Sequence, residues 1–295
     1  MKSLAALALL IALPSAHAQE RRPLPPGVKV VRDIEYIPGG GRAQSLDLYL
    51  PEKADAPLPL VVWIHGGAWS AGSKDGNRAM PLMRDGFATA SVEYRFSQQA
   101  VFPAQIEDCK AAIRFLRANA AQYGLDPQHI GVWGSSAGGH LVALLGTAGD
   151  VAAWEKGGRP EVSSRVQAVC DFFGPSDLLT MGAQGANHRP MPATDTAESP
   201  ESKLIGGAIP DNPDKAKAAS PVTYASADDP PFLIVHGDKD PLVPHAQSKE
   251  LHETLQKAGV NSTLRIVEGA GHGNGIDTPE TMQTVRDFFI KHLKP

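Results

Sequence analysis

The 295-residue chain lacks the features that mark several large classes of protein. It carries a formal net charge of −4 and has no run of lysine and arginine, which argues against binding to nucleic acid. After residue 18 it has no apolar run of the ~20 residues that a transmembrane helix needs. Its length suits one large α/β domain or two small domains.

Cysteine is also scarce, with only Cys109 and Cys170 in the chain. An exported protein could join the two in a disulfide. Each of them lies in an apolar pattern, however, and a free cysteine behaves as a small buried hydrophobic residue. We therefore favour two buried thiols and leave the disulfide open, because pairing requires Cα atoms within about 7 Å.

The first residues, MKSLAALALLIALPSAHAQE, have the three parts of a secretory signal peptide. Lys2 precedes an apolar run, and Ala16-His17-Ala18 forms a small-x-small cleavage site. A membrane anchor is the alternative, but the run is shorter than the ~20 residues of a membrane span. We predict cleavage after Ala18, no membrane attachment afterwards, and a secreted or periplasmic protein with a single α/β-hydrolase domain over residues 19–295.

Strand and helix patterns alternate along most of this domain, which is typical of an α/β fold with a mostly parallel sheet and helices on both faces. Predicted strands cover residues 45–50, 59–64, 89–94, 129–133, 166–172, 232–236 and 263–267. Predicted helices cover residues 103–122, 137–145 and 245–258, with a last helix that begins near Thr278. Residues 28–50 should form an antiparallel pair, because no helix separates its two strands.

Two segments carry more specific expectations. Residues 45–50 alternate apolar and polar side chains, which predicts a half-exposed strand. Residues 174–230 are rich in Pro, Gly, Ala and Asp and have little periodicity, which predicts an irregular insertion. Long loops inside compact domains are often lids over active sites. We favour a short lid, and an exposed insertion with no role is the alternative.

The sequence VWGSSAGGH at residues 132–140 contains the pattern G-x-S-x-G, with Gly134 and Gly138 on either side of Ser136. The pattern lies between a predicted strand and a predicted helix, as in the nucleophile elbow of an α/β-hydrolase. Such a tight turn requires small residues two positions before and after the serine. The helix N-terminus favours a developing negative charge. We predict that Ser136 is the nucleophile and that Ser135 has no chemical role.

A serine nucleophile needs a base, and the base needs a group that orients it. In this fold an Asp or Glu and then a His follow the serine along the chain, on loops at the carboxyl edge of the sheet. His272 lies in such a loop after the predicted strand at 263–267, and we predict that it is the base. Asp240 and Asp238 both follow the strand at 232–236, and Asp240 is favoured because it lies further into the loop.

The sequence HGGAW at residues 65–69 directly follows the predicted strand at 59–64. Glycines at this point let backbone amides face a bound carbonyl oxygen. Together with the amide of Ala137 they are predicted to form an oxyanion hole, in which each donor contributes ~3 kcal/mol. A plain tight turn is the alternative, and the position of the motif after a strand argues against it.

Together these motifs resemble α/β-hydrolase carboxylesterases of the hormone-sensitive-lipase-like group, and they are more similar still to small exported acetyl-xylan and feruloyl esterases. The resemblance rests on HGGAW at 65–69, EYR at 93–95, GSSAGGH at 134–140, HGDKDPLVP at 236–244 and GAGHG at 269–273. The site residues that it implies are Ser136 as nucleophile, Asp240 as orienting acid, His272 as base, and the amides of Gly67, Ala68 and Ala137 as oxyanion donors.

The chain also departs from the pattern of that group. The family's loop is often HGGG, and Ala68 stands here at the third glycine, which keeps the amide but narrows the pocket. Little sequence precedes the first strands, so we expect no large N-terminal cap. Tyr94, Arg95 and Asp108 are expected to be structural, with Arg95 bound to Asp108, and His236 is expected to hold a loop.

Two further patterns suggest a cofactor but do not complete their motifs. Gly72-Ser73-Lys74 lacks the lysine directly after the second glycine that a phosphate-binding loop requires. The sequence HETLQ at residues 252–256 ends in Gln, where a zinc-binding helix has a second His. We expect neither a metal nor another cofactor.

We therefore predict a serine carboxylester hydrolase that acts through an acyl-enzyme on short-chain or aromatic acyl esters. Its partner would be a small-molecule or polysaccharide-linked ester, such as an acetyl or feruloyl group on plant polysaccharide, and this substrate class rests on the resemblance alone. The alternatives are a peptidase or formamidase that uses the same residues, and a non-catalytic binding protein with this fold. The sequence leaves the oligomeric state open.

Overall fold

One eight-stranded sheet organises residues 24–185 and 193–294, the part of the chain that the computed structural model describes. The strands are β1 Val28–Glu35, β2 Ser45–Pro51, β3 Leu58–Ile64, β4 Ala88–Val92, β5 Leu125–Ser135, β6 Ala168–Phe172, β7 Phe232–Gly237 and β8 Ser262–Val267. They lie in the order β1-β2-β4-β3-β5-β6-β7-β8. The pairs β1–β2 and β2–β4 are antiparallel and all the others are parallel. This confirms the predicted mostly parallel sheet and its antiparallel first pair.

Helices cover both faces of this sheet, as predicted. They are α1 Ala104–Ala118, α2 Ala120–Tyr123, α3 Ala137–Thr147, α4 Met181–Gly185, α5 Pro200–Ile205, α6 Pro213–Ala218, α7 Ala246–Lys257 and α8 Pro279–Leu293. Helices α1, α3 and α7 pack on one face, where Val62 and Val132 are buried. Helix α8 packs on the other face, against Trp63 and Trp133. The parallel strands therefore bury side chains on both faces, which explains their continuous apolar runs.

One helix boundary differs from the prediction and another agrees with it. The helix predicted over residues 103–122 divides at Asn119, whose amide donates to the carbonyl of Phe115 at 3.1 Å, and a short α2 follows. The last helix begins as predicted, because the Thr278 hydroxyl accepts a hydrogen bond from the amide of Thr281 at 3.1 Å and proline follows at the first turn.

Strand β2 is not half-exposed, so this prediction was wrong. All six residues from 45 to 50 are buried. The polar side of the strand meets protein rather than water, because the Asp47 carboxylate binds the ammonium group of the buried Lys74 and lies 3.0 Å from the guanidinium of Arg32. A buried carboxylate needs such partners. Asp47 of β2 therefore forms internal ion pairs, one of them with Lys74 of the loop that follows β3.

The predicted insertion contains short helices rather than only irregular chain. Helices α4, α5 and α6 lie within it, and its residues 186–192 are outside the described part of the structure. Its first residues are fixed to α7, because the Gln247 amide oxygen accepts hydrogen bonds from the amides of Ser176 and Asp177 at 2.7 and 2.8 Å. Whether this segment acts as a lid stays a prediction.

Both cysteines are buried and free, as favoured from the sequence. Cys109 lies on α1 and Cys170 on β6, and burial raises the pKa of each thiol well above its usual value. The predicted signal peptide at residues 1–18 lies outside the described residues. Within residues 24–185 and 193–294, every helix is too short or too polar to cross a bilayer.

Candidate active site

The turn between β5 and α3 has the geometry of a nucleophile elbow. Ser136 joins the strand to the helix with φ 56° and ψ −123°, a conformation that L-residues rarely adopt. A Cβ atom at Gly134 would overlap the carbonyl oxygen of Gly138, and one at Gly138 would overlap that of Ile64. Only glycine fits at both positions. Because Ser136 directly follows β5, it lies at the carboxyl edge of the sheet.

The structure brings Ser136, His272 and Asp240 together, although long segments of chain separate them. The Nε2 atom of His272 lies 3.0 Å from the Oγ atom of Ser136, and its Nδ1 atom lies 2.7 Å from Oδ2 of Asp240. Both loops follow neighbouring parallel strands, β7 and β8. This arrangement lets a neutral His272 donate to the carboxylate through Nδ1 and accept the serine proton at Nε2.

Asp240, rather than Asp238, is the carboxylate that binds His272. The Asp238 carboxylate accepts a hydrogen bond from the amide of Gly269 at 2.6 Å and lies 3.2 Å from the ammonium group of Lys239. The bond to Gly269 joins the loop after β7 to the loop after β8. Asp238 is therefore a neighbour of the candidate site that helps to fix its loops.

The side chain of Asp240 is completely buried, and its carboxylate accepts several hydrogen bonds. Oδ1 accepts from the amides of Leu242 and Val243 at 2.8 and 3.0 Å, and Oδ2 accepts from His236 Nε2 at 3.1 Å as well as from His272. Burial alone would raise the pKa of Asp240. The hydrogen bonds from His236 and His272 outweigh burial and hold that pKa well below its usual value.

His236 holds this loop, as expected from its place at the end of β7. Its Nε2 atom also donates to the carbonyl of Val243 at 2.9 Å, and its Nδ1 atom lies 2.7 Å from the hydroxyl of Ser248. Since Nε2 faces two acceptors, the proton resides there and Nδ1 accepts from Ser248. His236 thus fixes the Asp240 carboxylate relative to α7.

The predicted oxyanion loop has three consecutive residues with positive φ: 117° at Gly67, 54° at Ala68 and 54° at Trp69. Gly67, Ala68 and Ala137 line the same cavity as Ser136 and His272. Within the described part of the chain, the backbone amides of Gly67, Ala68 and Ala137 donate no hydrogen bond. Amides that face a cavity without a partner are available to a ligand oxygen.

The residues after β3 and β4 hold this loop in place. The Tyr94 hydroxyl donates to the carbonyl of His65 at 3.0 Å, and the two rings stack at 4.6 Å. Glu93 lies 3.1 Å from His65 Nε2 and also accepts the amide hydrogen of Lys74 at 3.2 Å. Glu93 had no predicted role, although its place beside Tyr94, which was expected to be structural, could have indicated one.

Arg95 and Asp108 form the structural pair that was predicted. The guanidinium donates to both carboxylate oxygens of Asp108, from Nε and Nη2, each at 2.8 Å. Such a two-point contact fixes the strand end after β4 against α1. Neither residue of the pair lines the cavity that contains Ser136.

The cavity above Ser136 has a volume of about 370 Å³. Its walls, apart from the oxyanion loop and the elbow, come from the β6 turn, the insertion, the Asp240 loop and the His272 loop: Phe173, Pro175, Pro200, Glu201, Leu242, Val243 and His272. Phe173, with φ 47°, packs against the His272 ring at 4.7 Å. The insertion therefore contributes to the wall of the site, through residues that the sequence did not single out.

The two incomplete cofactor motifs have structural roles. Lys74 is buried, and its ammonium group binds Asp47 and lies 2.7 Å from Asp33. His252 Nδ1 lies 2.9 Å from the hydroxyl of Ser262 and joins α7 to β8. Across residues 24–185 and 193–294, no group of three His, Cys, Asp or Glu side chains is arranged to hold a metal ion.

A mostly parallel sheet with an elbow serine, and an acid and a histidine on the later loops, defines the α/β-hydrolase fold. Residues 46–255 match the model of the BD-FAE family, and the chain belongs to that family. The Mycobacterium tuberculosis protein "Esterase LipQ" is 34% identical over 258 residues, which are 85% of this chain and 58% of LipQ. This chain thus spans little more than half the length of that relative.

Two solved structures share both sequence and fold with the chain. A "truncated form of carbohydrate esterase from gut microbiota" has 35% identity and a TM-score of 0.83, over 89% of this chain and 95% of that one. A "bifunctional GH43-CE" of Bacteroides eggerthii has 38% identity and a TM-score of 0.83, over 89% of this chain and 35% of that one. The relatives and neighbours with this architecture thus include named esterases.

Proposed function

We propose that the protein is a serine carboxylester hydrolase that works through an acyl-enzyme. The observation that carries the proposal is the chain of hydrogen bonds from Asp240 through His272 to Ser136, of 2.7 and 3.0 Å, at the base of the cavity. The esterase names of the relatives support the same reaction. Chemistry at an ester carbonyl needs a nucleophile, a base and an anion site, and each has a candidate here.

In the proposed reaction, Ser136 Oγ gives its proton to His272 Nε2 and bonds to the ester carbonyl carbon. The carbonyl oxygen becomes an oxyanion that accepts hydrogen bonds from the amides of Gly67, Ala68 and Ala137. Each such donor contributes ~3 kcal/mol in comparable sites. Asp240 holds His272 in the tautomer that can accept the serine proton and stabilises the imidazolium that results.

The tetrahedral intermediate collapses when the bond to the alcohol oxygen breaks and His272 donates its proton to that oxygen. The acyl group then remains on Ser136 as an ester. Water enters, gives a proton to His272 and adds to the acyl carbon, and the second collapse returns the proton to Ser136 and releases the acid. His272 accepts and returns each proton that is transferred in these steps.

The proposed substrates are esters of short-chain or aromatic acyl groups, including acetyl or feruloyl groups on plant polysaccharide. A cavity of about 370 Å³ with apolar walls suits a small acyl group or a single ring. The name "carbohydrate esterase" of one structural neighbour supports a sugar as the alcohol part. We also propose export to the periplasm or the medium, where a polymer substrate would be accessible. This proposal rests on the signal-peptide pattern of residues 1–18.

The test is hydrolysis of p-nitrophenyl acetate by the protein, by Ser136→Ala and by the neighbouring control Ser135→Ala. We expect turnover that disappears in Ser136→Ala and persists in Ser135→Ala. Acetate or ferulate release from acetylated and feruloylated xylan then tests the substrate class. Faster turnover of amides than of esters would instead favour a peptidase or formamidase, and the absence of turnover with any of these compounds would favour a binding protein.

A further inference from the structure

His140, the last residue of the elbow motif, contacts three functional parts of the molecule at once. Its backbone amide donates to the carbonyl of Ser136 at 2.9 Å in the first turn of α3. Its Nδ1 atom lies 3.1 Å from the indole Nε1 of Trp69, in the oxyanion loop. Its Nε2 atom lies 2.7 Å from the carbonyl oxygen of Ala219, which ends α6 of the insertion.

These partners fix the state of the His140 ring. The Trp69 indole can only donate, so Nδ1 accepts, and the Ala219 carbonyl can only accept, so Nε2 carries the proton. The side chain is completely buried. Burial lowers the pKa of His140 to about 4, although the bond to the Ala219 carbonyl acts in the opposite direction. The ring is therefore neutral near pH 7, where it can accept from Trp69 and donate to Ala219.

The oxyanion loop needs support of this kind. Ala68 and Trp69 both have φ of 54°, and such conformations of non-glycine residues cost of order 1–3 kcal/mol each unless the surroundings hold them. Trp69 is 2% exposed, and its ring meets the His140 ring edge to face at 5.1 Å. The indole bond therefore anchors the loop residue next to the amide of Ala68.

The other bond of His140 leads to the wall of the cavity. Ala219 follows α6, and the preceding turn is joined to α5 by the Ile209 amide, which donates to the Ser202 hydroxyl at 3.2 Å. Helix α5 carries Pro200 and Glu201, which line the cavity above Ser136. A single imidazole thus lies between the amides that would bind the oxyanion and the segment that would contact the rest of the ester.

We propose that His140 is a positioning residue that sets the oxyanion loop through Trp69 and the cavity wall through Ala219. The proposal rests on the proposed esterase function and adds to it a residue that touches neither substrate nor nucleophile side chain. Its two nitrogen atoms have separate effects. The Nδ1 bond acts on kcat, because it places an amide donor, and the Nε2 bond acts on KM, because it places the wall.

Two substitutions separate these effects. In His140→Asn, the Oδ1 atom takes the place of Nδ1 and keeps an acceptor for Trp69, whereas the bond to Ala219 is lost. In His140→Gln, the Nε2 atom keeps a donor for Ala219, whereas the acceptor for Trp69 is lost. We expect His140→Gln to lower kcat ~10- to 100-fold with little change in KM, below the ~10²–10³ of losing an oxyanion donor. We expect His140→Asn to raise KM several-fold and to keep kcat within about threefold.

Trp69→Phe isolates the same hydrogen bond from the other side, and Trp63→Phe, on the opposite face of the sheet, is the matched control. Trp69→Phe should lower kcat as His140→Gln does. The double variant His140→Gln/Trp69→Phe should have a kcat no lower than that of either single variant. Trp63→Phe should keep kcat. A merely structural His140 would lower stability in all variants without this division between kcat and KM, and that result would overturn the proposal.

A measurement without substrate keeps this test separate from the test of the esterase proposal. The indole N–H resonance of Trp69, assigned by its loss in Trp69→Phe, should exchange slowly with D₂O in the native protein and in His140→Asn, and rapidly in His140→Gln. Rapid exchange in the native protein would overturn the positioning role. If turnover survives in Ser136→Ala, the esterase proposal fails, whereas the exchange rates still decide whether His140 holds Trp69. Should the His140 variants not fold, Trp69→Phe alone decides through kcat.

Discussion

The Asp240 carboxylate is buried and surrounded by hydrogen-bond donors. It accepts hydrogen bonds from two backbone amides and two imidazoles. Such a residue can orient His272 without taking its proton. Removing its charge should therefore alter the tautomer of His272, while the bonds from the amides of Leu242 and Val243 to the other oxygen atom keep the loop in place.

The corresponding prediction concerns Asp240→Asn. An asparagine can present an N–H to His272 Nδ1, which forces the proton onto Nε2 and blocks acceptance of the serine proton. We expect kcat to fall by ~10⁴-fold, as in a comparable triad. Asp238→Asn, which changes a carboxylate of the same loop that does not touch His272, should change kcat by only a few-fold. Equal losses in the two variants, measured with p-nitrophenyl acetate, would contradict the assignment.

Asp171 is a second buried carboxylate close to the elbow. It lies beside Gly134 in the sheet, and its Oδ1 atom accepts a hydrogen bond from the amide of Gly174 at 2.9 Å. Within the described residues its Oδ2 atom has no hydrogen-bond partner. Burial raises the pKa of Asp171 to about 7, against 3.8 for an ordinary aspartate, and the Gly174 amide lowers it only in part. Between pH 3.8 and about 7, Asp171 therefore holds a proton in the folded protein that it has lost in the unfolded chain.

This difference predicts how stability changes with pH. Because the pKa is raised on folding, the free energy of unfolding falls as the pH rises from 3.8 to about 7, by on the order of 4 kcal/mol in total. Asp171→Asn removes this loss and keeps an acceptor for Gly174. In denaturant titrations the variant should gain stability over the native protein as the pH rises from about 4 to about 7, and the gain should be constant above that pH. The exposed control Asp55→Asn should not, and parallel curves for Asp171→Asn and the native protein would refute the assignment.

At the scale of elements, the contact between α3 and the end of β3 determines where the nucleophile lies. A Cβ atom at Gly138 would overlap the carbonyl oxygens of Ile64 and His65, and backbone atoms cannot move aside as a flexible side chain can. The helix would have to move away from β3. That movement would carry Ser136 away from the oxyanion loop, which starts at the same strand end.

Gly138→Ala should therefore lower the free energy of unfolding by ~1–3 kcal/mol and abolish most turnover of the folded fraction. Gly76→Ala is the matched control, because a Cβ atom there meets no heavy atom within 4 Å. Circular dichroism melts and ester hydrolysis measure the two effects. A variant that keeps native activity would show that α3 and β3 are not as closely fixed as described.

The elements that could be predicted from the sequence are those whose pattern is local. The elbow is a continuous strand–turn–helix sequence. Gly134 is required by a contact with Gly138, four residues further on, whereas the contact of Gly138 with Ile64 is visible only in the fold. Asp240 and His272 follow from the order of residues in the fold. The burial of β2 could not be predicted in this way, because Asp47 is covered by Lys74 and Arg32. Alternation alone does not distinguish an internal ion pair from solvent.

At the scale of the whole molecule, the insertion was the hardest part to predict. Its short helices have weak periodicity, and its place beside the cavity depends on contacts with distant residues such as Gln247 and His140. His140 and Phe173 were missed for the same reason, since each acquires its role from a remote partner. Glu201 was missed because it lines the cavity only through the fold of the insertion. For His140, the one indication in the sequence was its place directly after Gly138 and Gly139 of the elbow motif.

Export is also a property of the whole molecule. If residues 1–18 are a signal peptide, the protein recovered from the periplasm or medium of a bacterial host should begin at Gln19. Intact-mass analysis measures this directly. Ala18→Arg, which places a large charged residue at the cleavage site, should leave the leader attached. A full-length native protein in the cell interior would contradict the proposed location.

Ser136 is the nucleophile of the proposed reaction, and covalent labelling can identify this residue without any assumption about the substrate. Diethyl p-nitrophenyl phosphate transfers its diethylphosphoryl group to an activated serine and releases p-nitrophenol. We expect one label per chain, which peptide mass mapping should locate on Ser136. Ester hydrolysis should be lost in proportion to the labelling. A label on Ser135 or on another residue, or full activity in a labelled protein, would contradict this assignment.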